Sequence, residues 1–302
     1  MRNLGDLVGM SFAPVEQPLN PRDSIIYALG VGYGQDSSDR EQLRFVYEDG
    51  LKTVPTMAVV LASPGFWLRE PQYGVDWKQV LHGEQAVELF ADVPHSGTAV
   101  GVTTITDVVD KGAGKGAFLY WENRLVHKET GTHFATLTST AICRGNGGFG
   151  GNPGTRRPVA PFPERKPDTS WEFQTIEQVA LLYRLSGDDN PLHADPDVAL
   201  SAGFNRPILH GLCAFGIAGH ALLRSCCGYD TSYLRSMMVR FSSPVYPGER
   251  LRTDIWDEGD QVFFRCVVPE RNVIAIDRGS ARLGAAPHAS STSQTQSTGA
   301  HG

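Results

Sequence analysis

The sequence predicts an α+β protein made of two similar halves. Seven segments are rich in Val, Ile, Thr and aromatic residues, which is typical of β-strands, and the short connections between them favour antiparallel meanders. Each half begins with apolar residues at helical spacing. A polar stretch at residues 145–166, rich in Gly, Pro and Arg, separates the two sets of segments. A sheet wrapped around a helix, formed twice, would bury the apolar faces of both elements.

In the first half, Pro21 and Asp23 precede Ile25, Ile26 and Leu29, an arrangement typical of a helix start followed by an apolar face. The predicted strands that follow are residues 98–109, 116–126 and 132–143.

In the second half, Thr175 precedes apolar residues at three- and four-residue spacing up to Tyr183, which predicts a helix. A second, buried helix is predicted after Gly211 because the following stretch is almost entirely apolar. Leu251 and Ile255 alternate with polar neighbours at the period of a half-buried strand. The predicted strands are residues 237–245, 250–256, 261–268 and 272–283.

The halves repeat each other weakly in sequence, which favours a duplicated unit. The matching pairs are Tyr27-Ala28-Leu29-Gly30 with Tyr183-Arg184-Leu185-Ser186, and Val80-Leu81-His82-Gly83 with Ile208-Leu209-His210-Gly211.

Charge and composition exclude several classes of protein. With 27 Lys and Arg against 33 Asp and Glu, the net charge of −6 provides no attraction for nucleic acid or an anionic membrane. Five scattered cysteines without a CxxC pair argue against a disulfide scaffold and a cysteine zinc site. We recognise no secretory signal, and the chain ends in His301-Gly302 rather than in a peroxisomal tripeptide. A cytoplasmic protein is expected, or a peroxisomal one if the source is eukaryotic.

One segment carries residues suited to proton transfer. The helix that contains Tyr183 should end near Gly187, because Gly terminates helices and Pro191 prevents continuation. Asp188, Asn190 and His193 then lie on a short loop, where a turn brings the Asp and the His together. Reference pKa values of about 3.9 and 6.5 make such a pair a natural acid and base near neutral pH.

Capping and turn chemistry is the alternative role for Asp188 and Asn190. His193-Ala194-Asp195 suggests metal binding, but no further Cys or His group lies at zinc spacing, so no metal is expected. Gly211 opens the apolar helix, and a free N–H at a helix start can stabilise an oxyanion. A helix start packed in the core is the alternative reading of Gly211.

Residues 183–193 followed by 207–216 resemble the signature of the type 2, (R)-specific enoyl-CoA hydratases of the MaoC-like superfamily. The similarity is close to the hydratase 2 domain of the peroxisomal multifunctional enzymes of type 2, and it extends over about residues 1–284. Further motifs follow in the same order: Tyr27-Ala28-Leu29-Gly30-Val31-Gly32, Val80-Leu81-His82-Gly83-Glu84-Gln85, Gly147-Gly148-Phe149-Gly150-Gly151, and Arg240-Phe241 with Pro244-Val245-Tyr246-Pro247-Gly248.

The resemblance implies a double hot-dog fold, in which each of two repeats has a long helix wrapped by an antiparallel sheet. The second repeat would be catalytic, and the first, with Val31-Gly32-Tyr33-Gly34 in place of the acid and base, would accommodate the acyl chain. The predicted boundaries are 1–150 for the first repeat, 151–166 for the connection, 167–284 for the second repeat and 285–302 for a disordered tail.

The activity that the resemblance implies is reversible hydration of trans-2-enoyl-CoA to (3R)-3-hydroxyacyl-CoA in fatty-acid metabolism. Asp188 and His193 would hold the water between them, and the sequence leaves open which side chain moves which proton. Asn190 would position the water or the pair, and the Gly211 N–H would stabilise the enolate. Expected contacts to the acyl-CoA are His82, Gly83, Lys111 and Phe241.

A surface charge at Lys111, and structural roles for Phe241 and His82, are the alternatives at those positions. Asp189 departs from the aromatic residue common in the family, and we expect it to face solvent. No cofactor is expected, because coenzyme A is part of the substrate, and a homodimer is expected from the resemblance. The alternative activities are a hot-dog acyl-CoA thioesterase and a non-catalytic acyl-CoA binding protein.

Overall fold

Ten antiparallel strands form one continuous sheet in the computed structural model, which describes residues 3–154 and 161–284. The first half contributes β1 (Val15–Leu19), β2 (Val80–Leu89), β3 (Gly97–Asp110), β4 (Ala117–His127) and β5 (His133–Cys143). The second half contributes β6 (Thr169–Gln174), β7 (Leu234–Phe241), β8 (Arg250–Glu258), β9 (Gln261–Val268) and β10 (Val273–Leu283).

The strand order shows that the two halves are built alike. The sheet runs β1-β3-β4-β5-β2-β7-β10-β9-β8-β6, so the first half and the second half have the same internal order when each is counted from its outer edge. The halves join where β2 pairs with β7, in the register Glu84 opposite Arg240 to Glu88 opposite Ser236. This seam brings residues of both halves to one place.

All seven predicted strands overlap observed ones, and the predicted α+β class is confirmed. Sequence patterns missed β1, β2 and β6. In β2 burial alternates from Gly83 to Leu89, but two of the buried positions are Gly83 and the polar Gln85, so no apolar period marks the strand. Gly83 also lies in a bulge, where the pairing with β5 shifts between His82 and Glu84. The predicted connection includes residues 155–160, and both those residues and the predicted tail at 285–302 lie outside the described residues.

Five α-helices lie in the described part of the chain: α1 (Pro21–Gly30), α2 (Arg40–Leu43), α3 (Val179–Tyr183), α4 (Pro196–Ser201) and α5 (Gly211–Cys226). The long predicted helix of the second half is α5, which packs against β6, β7 and β8 and is buried at every residue from 213 to 223. The first half places a shorter α1 and a 3₁₀ segment, Pro55–Val60, beside it. None of the helices in the described ranges is long and apolar enough to cross a bilayer.

Of the two matching pairs in the weak sequence repeat, the first corresponds in the structure and the second does not. Tyr27 of α1 and Tyr183 of α3 occupy corresponding places, and their rings pack 5.8 Å apart. The second match is wrong as a structural repeat, because His82 lies within β2 whereas His210 lies at the start of α5. By strand order, the counterpart of β2 is β7.

Asp110 at the end of β3 fixes the Gly-rich segment that precedes the predicted connection. Its carboxylate accepts hydrogen bonds from the backbone N–H groups of Gly112 at 2.8 Å, Gly148 at 2.7 Å, Gly150 at 2.9 Å and Gly151 at 3.2 Å. These bonds lower the pKa of Asp110, because each favours the ionised form. The segment is therefore tied to the sheet by one side chain.

Two glycines of α5 allow the first half to approach this helix closely. A methyl group at Gly216 would overlap the side chain of Val31 and come within 2.9 Å of the Tyr27 hydroxyl oxygen. At Gly219 a methyl group would lie 2.5 Å from Cγ2 of Thr56. The junction between the halves thus depends on helix positions that have no side chain.

We expect Gly216→Ala to destabilise the protein, although Ala is the better helix former by about 1 kcal/mol. Overpacking of this kind typically costs about 1–3 kcal/mol, and the overlap with the Val31 side chain makes this cost exceed the gain in helix propensity. Urea denaturation followed by circular dichroism measures the difference. Gly30→Ala is the matched control, since the nearest atoms to its added methyl group are 3.7 Å away. Equal stability of Gly216→Ala and the parent protein would contradict the packing described here.

Candidate active site

The loop that follows α3 is shaped by its glycine and proline. A 3₁₀ turn, Arg184–Ser186, continues α3, and Gly187 ends it with a left-handed φ of 115°. Pro191 starts a second 3₁₀ turn, Pro191–His193, which is capped by Asn190. The helix therefore ends at Gly187 and a short turn follows, as the sequence predicted.

These turns bring Asp188 and His193 together. A carboxylate oxygen of Asp188 and one ring nitrogen each of His193 and His210 all lie within 4.8 Å of one another. Asp188 is half-buried, and the two imidazoles are buried. Sequence spacing predicted the first two partners, whereas His210 joins them from the segment that leads into α5.

The hydrogen bond of His193 identifies its tautomer. Nδ1 lies 2.8 Å from the backbone oxygen of Ile208, and because a carbonyl only accepts, Nδ1 carries the proton. The Nε2 atom of the neutral ring therefore keeps a free lone pair. Burial lowers the pKa of His193, while the Asp188 charge and the bond to Ile208 oppose that shift. The imidazole is neutral at physiological pH and can accept a proton.

Asn190 acts on the loop backbone in this structure. Its side-chain oxygen accepts the N–H of Leu192 at 3.1 Å, and its own N–H donates to Oδ1 of Asp188 at 3.3 Å. These contacts are the capping and turn chemistry given above as the alternative role of Asp188 and Asn190, and they fix the loop that carries Asp188 and His193.

The start of α5 presents free backbone donors beside the pair. The His210 carbonyl accepts the N–H groups of Cys213 at 3.1 Å and Ala214 at 3.2 Å. The N–H groups of Gly211 and Leu212 have no acceptor within the described ranges, and no side chain caps the helix. Free donors at the positive end of a helix dipole can stabilise a developing negative charge.

Residues at the seam between the halves line the same place. The Phe241 ring of β7 lies 4.9 Å from the His82 ring of β2, and a methyl group at Gly211 would approach Phe241 to 3.2 Å. Burial lowers the pKa of His82 to about 4, and the nearby Asp188 carboxylate opposes that shift. Gly83 forms the bulge next to His82. The structure thus brings four predicted residues close to the Asp188 loop.

Lys111 does not lie with this group. It follows β3, where its N–H donates to the Gly116 oxygen at 3.0 Å and its ammonium lies 5.1 Å from the Phe118 ring centroid. The register aligns Asp110, Ala117, Cys143 and Val80 across four strands, so Lys111 lies at the same end of the sheet as His82 but next to β3, three strand spacings or roughly 14 Å across the sheet from β2. Lys111 therefore lies outside the group around Asp188, and we call its position at this end of the sheet the rim of the site.

Asp189 is exposed, as expected. It borders a surface cavity of about 510 Å³ with a mixed wall of aromatic and charged residues; the other lining residues are Phe12, Pro64, Phe66, Trp67, Arg69, Glu70 and Tyr73.

The cluster of Asp188, His193 and His210 has the composition of a metal site but not its geometry. The rings of His193 and His210 stack, with centroids 3.9 Å apart and planes at 30°. The lone pair of an imidazole nitrogen lies in the ring plane. Two nearly parallel rings direct their lone pairs side by side rather than towards one ion. The arrangement favours proton transfer over metal coordination.

Two protein families match the chain in succession. The MFE-2 hydratase 2 N-terminal domain matches residues 18–145, and the MaoC like domain matches residues 158–278. The chain is 40% identical to the 3-hydroxyacyl-thioester dehydratase Y of Mycobacterium tuberculosis, over 84% of this chain and 89% of that protein. It is 38% identical to the peroxisomal enoyl-CoA hydratase 2 of Arabidopsis thaliana, over 84% and 86% respectively.

Solved structures are similar over nearly the whole chain. The MaoC-like dehydratase of Phytophthora capsici has a TM-score of 0.80 and 34% identity, covering 94% of this chain and 98% of its own. Rv0216 of Mycobacterium tuberculosis, described as a double hotdog fold, has a TM-score of 0.54 and 12% identity, covering 94% and 98%. The latter similarity concerns the fold alone. Together they confirm the predicted double hot-dog class.

We expect NMR of the imidazole nitrogens to show His193 as the Nδ1–H tautomer, titrating below the ordinary value of 6.5 because of its burial. Asp188→Asn removes the charge that opposes this shift, so the pKa of His193 should fall further. Long-range ¹H–¹⁵N spectra between pH 4 and 9 measure the tautomer and the pKa of His193 in the parent protein and in Asp188→Asn. Titration above 6.5 would contradict the dominant effect of burial on this pKa, and an Nε2–H tautomer at high pH would show that the Ile208 bond does not form.

Proposed function

The chain belongs to the MaoC-like family, with the hydratase 2 N-terminal domain preceding its MaoC-like domain, and we propose that it converts trans-2-enoyl-CoA to (3R)-3-hydroxyacyl-CoA with Asp188 and His193 as acid and base. Relatives that share more than a third of its residues are an enoyl-CoA hydratase 2 and a 3-hydroxyacyl-thioester dehydratase. Those two names describe one reversible reaction in its two directions. The enzyme is a hydratase and dehydratase of fatty-acid metabolism.

The observation that carries the catalytic proposal is the placement of an acid–base pair beside free helix-start amides. Asp188 and His193 have hydrogen-bonding atoms within 4.8 Å of each other, a separation that one water molecule can bridge. The free N–H of Gly211 follows His210, whose ring stacks on His193. A thioester oxygen at Gly211 would therefore hold the enoyl group against the bridging water.

The hydration then proceeds as follows. Nε2 of His193 takes a proton from the water as its oxygen bonds to C3, and the electrons of the double bond move through C2 to the thioester oxygen. The Gly211 N–H stabilises the resulting enolate, and such a donor typically contributes about 3–4 kcal/mol. The imidazolium then returns its proton to C2, which restores the thioester and the neutral ring.

The environment of His193 suits both halves of this cycle. Its pKa is lowered by burial, so the imidazolium gives up its proton readily. Asp188 accepts the second hydrogen bond of the water and stabilises the transient imidazolium. Dehydration uses the same groups in reverse.

The surrounding residues have the character that an acyl-CoA requires. Phe241 is partly buried and apolar, and Nε2 of His82 is buried without a hydrogen-bond partner within the described ranges, so a polar substrate group that reached it would satisfy it. Lys111 provides a positive charge at the rim, where the anionic phosphates of coenzyme A would lie. No cofactor enters the proposed reaction, since coenzyme A arrives with the substrate.

We expect Asp188→Asn and His193→Ala each to lower turnover by about 10²–10⁴-fold, which is the usual contribution of a general acid or base. The assay follows loss of the enoyl-thioester absorbance with crotonyl-CoA and decenoyl-CoA, followed by chiral analysis of the product. Asp189→Asn is the matched control: it changes the exposed neighbour, and the rate should stay close to that of the parent.

Four results would contradict the proposal or part of it. A 3S product would remove the stereochemical assignment, and release of free thiol would show a thioesterase. Binding of enoyl-CoA without turnover would show a carrier. A variant that keeps the parent rate removes its residue from the mechanism.

A further inference from the structure

His210 is a buried imidazole at the site for which the mechanism has no use. It is 1% exposed, and its ring lies face to face with the His193 ring at a centroid distance of 3.9 Å. The Tyr183 ring packs near it at 5.1 Å. Burial lowers the pKa of His210 to about 2, so the ring is neutral whenever the protein is folded and active. With so low a pKa, His210 is a much weaker base near pH 7 than an ordinary imidazole.

The hydrogen bond of His210 reaches the loop from the opposite side. Its Nε2 lies 3.2 Å from the backbone oxygen of Asp188, and since that oxygen only accepts, Nε2 is the protonated nitrogen. The bond therefore joins the start of α5 to the residue that carries the proposed carboxylate. A second bond, from Nδ1 of His193 to the Ile208 oxygen, runs between the same two segments in the reverse direction.

The backbone of His210 holds the helix start that carries the Gly211 N–H. Its carbonyl accepts the N–H groups of Cys213 and Ala214, which fixes the first turn of α5. The next residue is Gly211, whose N–H has no acceptor in the part of the chain that the structure describes. His210 therefore contacts the loop that carries Asp188, stacks on the His193 ring and belongs to the helix start that carries the Gly211 N–H.

We propose that His210 is a positioning residue that holds Asp188, His193 and the Gly211 N–H in one reactive arrangement. This inference rests on the proposed function, because it assigns His210 a role only through those three groups. The stacked ring limits rotation of His193, and the Nε2–H bond sets the distance of the loop from the helix. A misplacement of about 1 Å at a reacting group costs on the order of 10² in rate, so the bond matters for turnover.

The test compares three substitutions at His210. Phe keeps a flat ring for stacking but has no N–H. Gln places its amide nitrogen near the position of Nε2 and can keep the bond to the Asp188 oxygen, whereas the shorter Asn places its nitrogen near Nδ1 and cannot. We expect kcat to fall about 100-fold in His210→Phe and His210→Asn, with KM within about threefold of the parent, and to recover by tenfold or more in His210→Gln.

His220 provides the matched control in the same helix. It is also 1% exposed, and its ring stacks on Tyr33 at 3.8 Å. Its nitrogens bond to the Val31 oxygen at 3.3 Å and to the Tyr229 hydroxyl at 3.1 Å, so it is held as firmly as His210 but away from the site. His220→Phe should lower thermal stability while kcat per folded molecule stays near that of the parent. All rates are divided by the folded fraction from near-ultraviolet circular dichroism.

Several results would overturn the inference. One is a kcat of His210→Phe that equals that of the parent protein. Another is the same kcat in His210→Gln and His210→Asn. The third is a loss of kcat in His220→Phe as large as that in His210→Phe. If His210→Phe does not fold, the comparison of Gln with Asn decides. Failure of the proposed function is recognised separately, because the parent protein itself would then not hydrate enoyl-CoA to the 3R product; an active parent and an inactive Asp188→Asn with fully active His210 variants reject only the positioning role.

Discussion

Two crossed hydrogen bonds hold the site together, and the rest of its geometry follows from them. One runs from Nδ1 of His193 to the Ile208 oxygen, and the other from Nε2 of His210 to the Asp188 oxygen. Together they lock the loop after α3 to the segment that begins α5. Because both acceptors are backbone carbonyls, the bonds fix the tautomers of both rings and leave His193 with the free nitrogen that the proposed chemistry needs.

The duplicated architecture explains why one site can be assembled without a second chain. The β2–β7 seam brings His82 from the first half to Phe241 and Gly211 of the second. The first half no longer presents its own pair. Tyr33, in the stretch that corresponds to the Asp188 loop, is instead fully buried and stacks on His220 of α5. The turn that carries the reactive groups in one half thus contributes to the core in the other.

Local sequence signals predicted the parts of the molecule that depend on near neighbours. Period-two strands, the helix stop at Gly187 and the approach of Asp188 to His193 all arise within a few residues. Contacts between distant segments were not predictable in this way. The stacking of His210 on His193 requires the fold, and a single neighbouring glycine was its only signal in the sequence. The false match of His82 with His210 shows the same limit, since an identical dipeptide forms a strand bulge in one half and a helix start in the other.

The central claim is that one water, held by Asp188 and His193 on one face of the enoyl group, supplies both the oxygen at C3 and the proton at C2. Hydration of crotonyl-CoA in deuterium oxide tests this directly, because the relative configuration at C2 and C3 of the product records the face of each addition. We expect deuterium and oxygen on the same face. Addition to opposite faces would require a proton donor across the substrate from His193 and would contradict the mechanism.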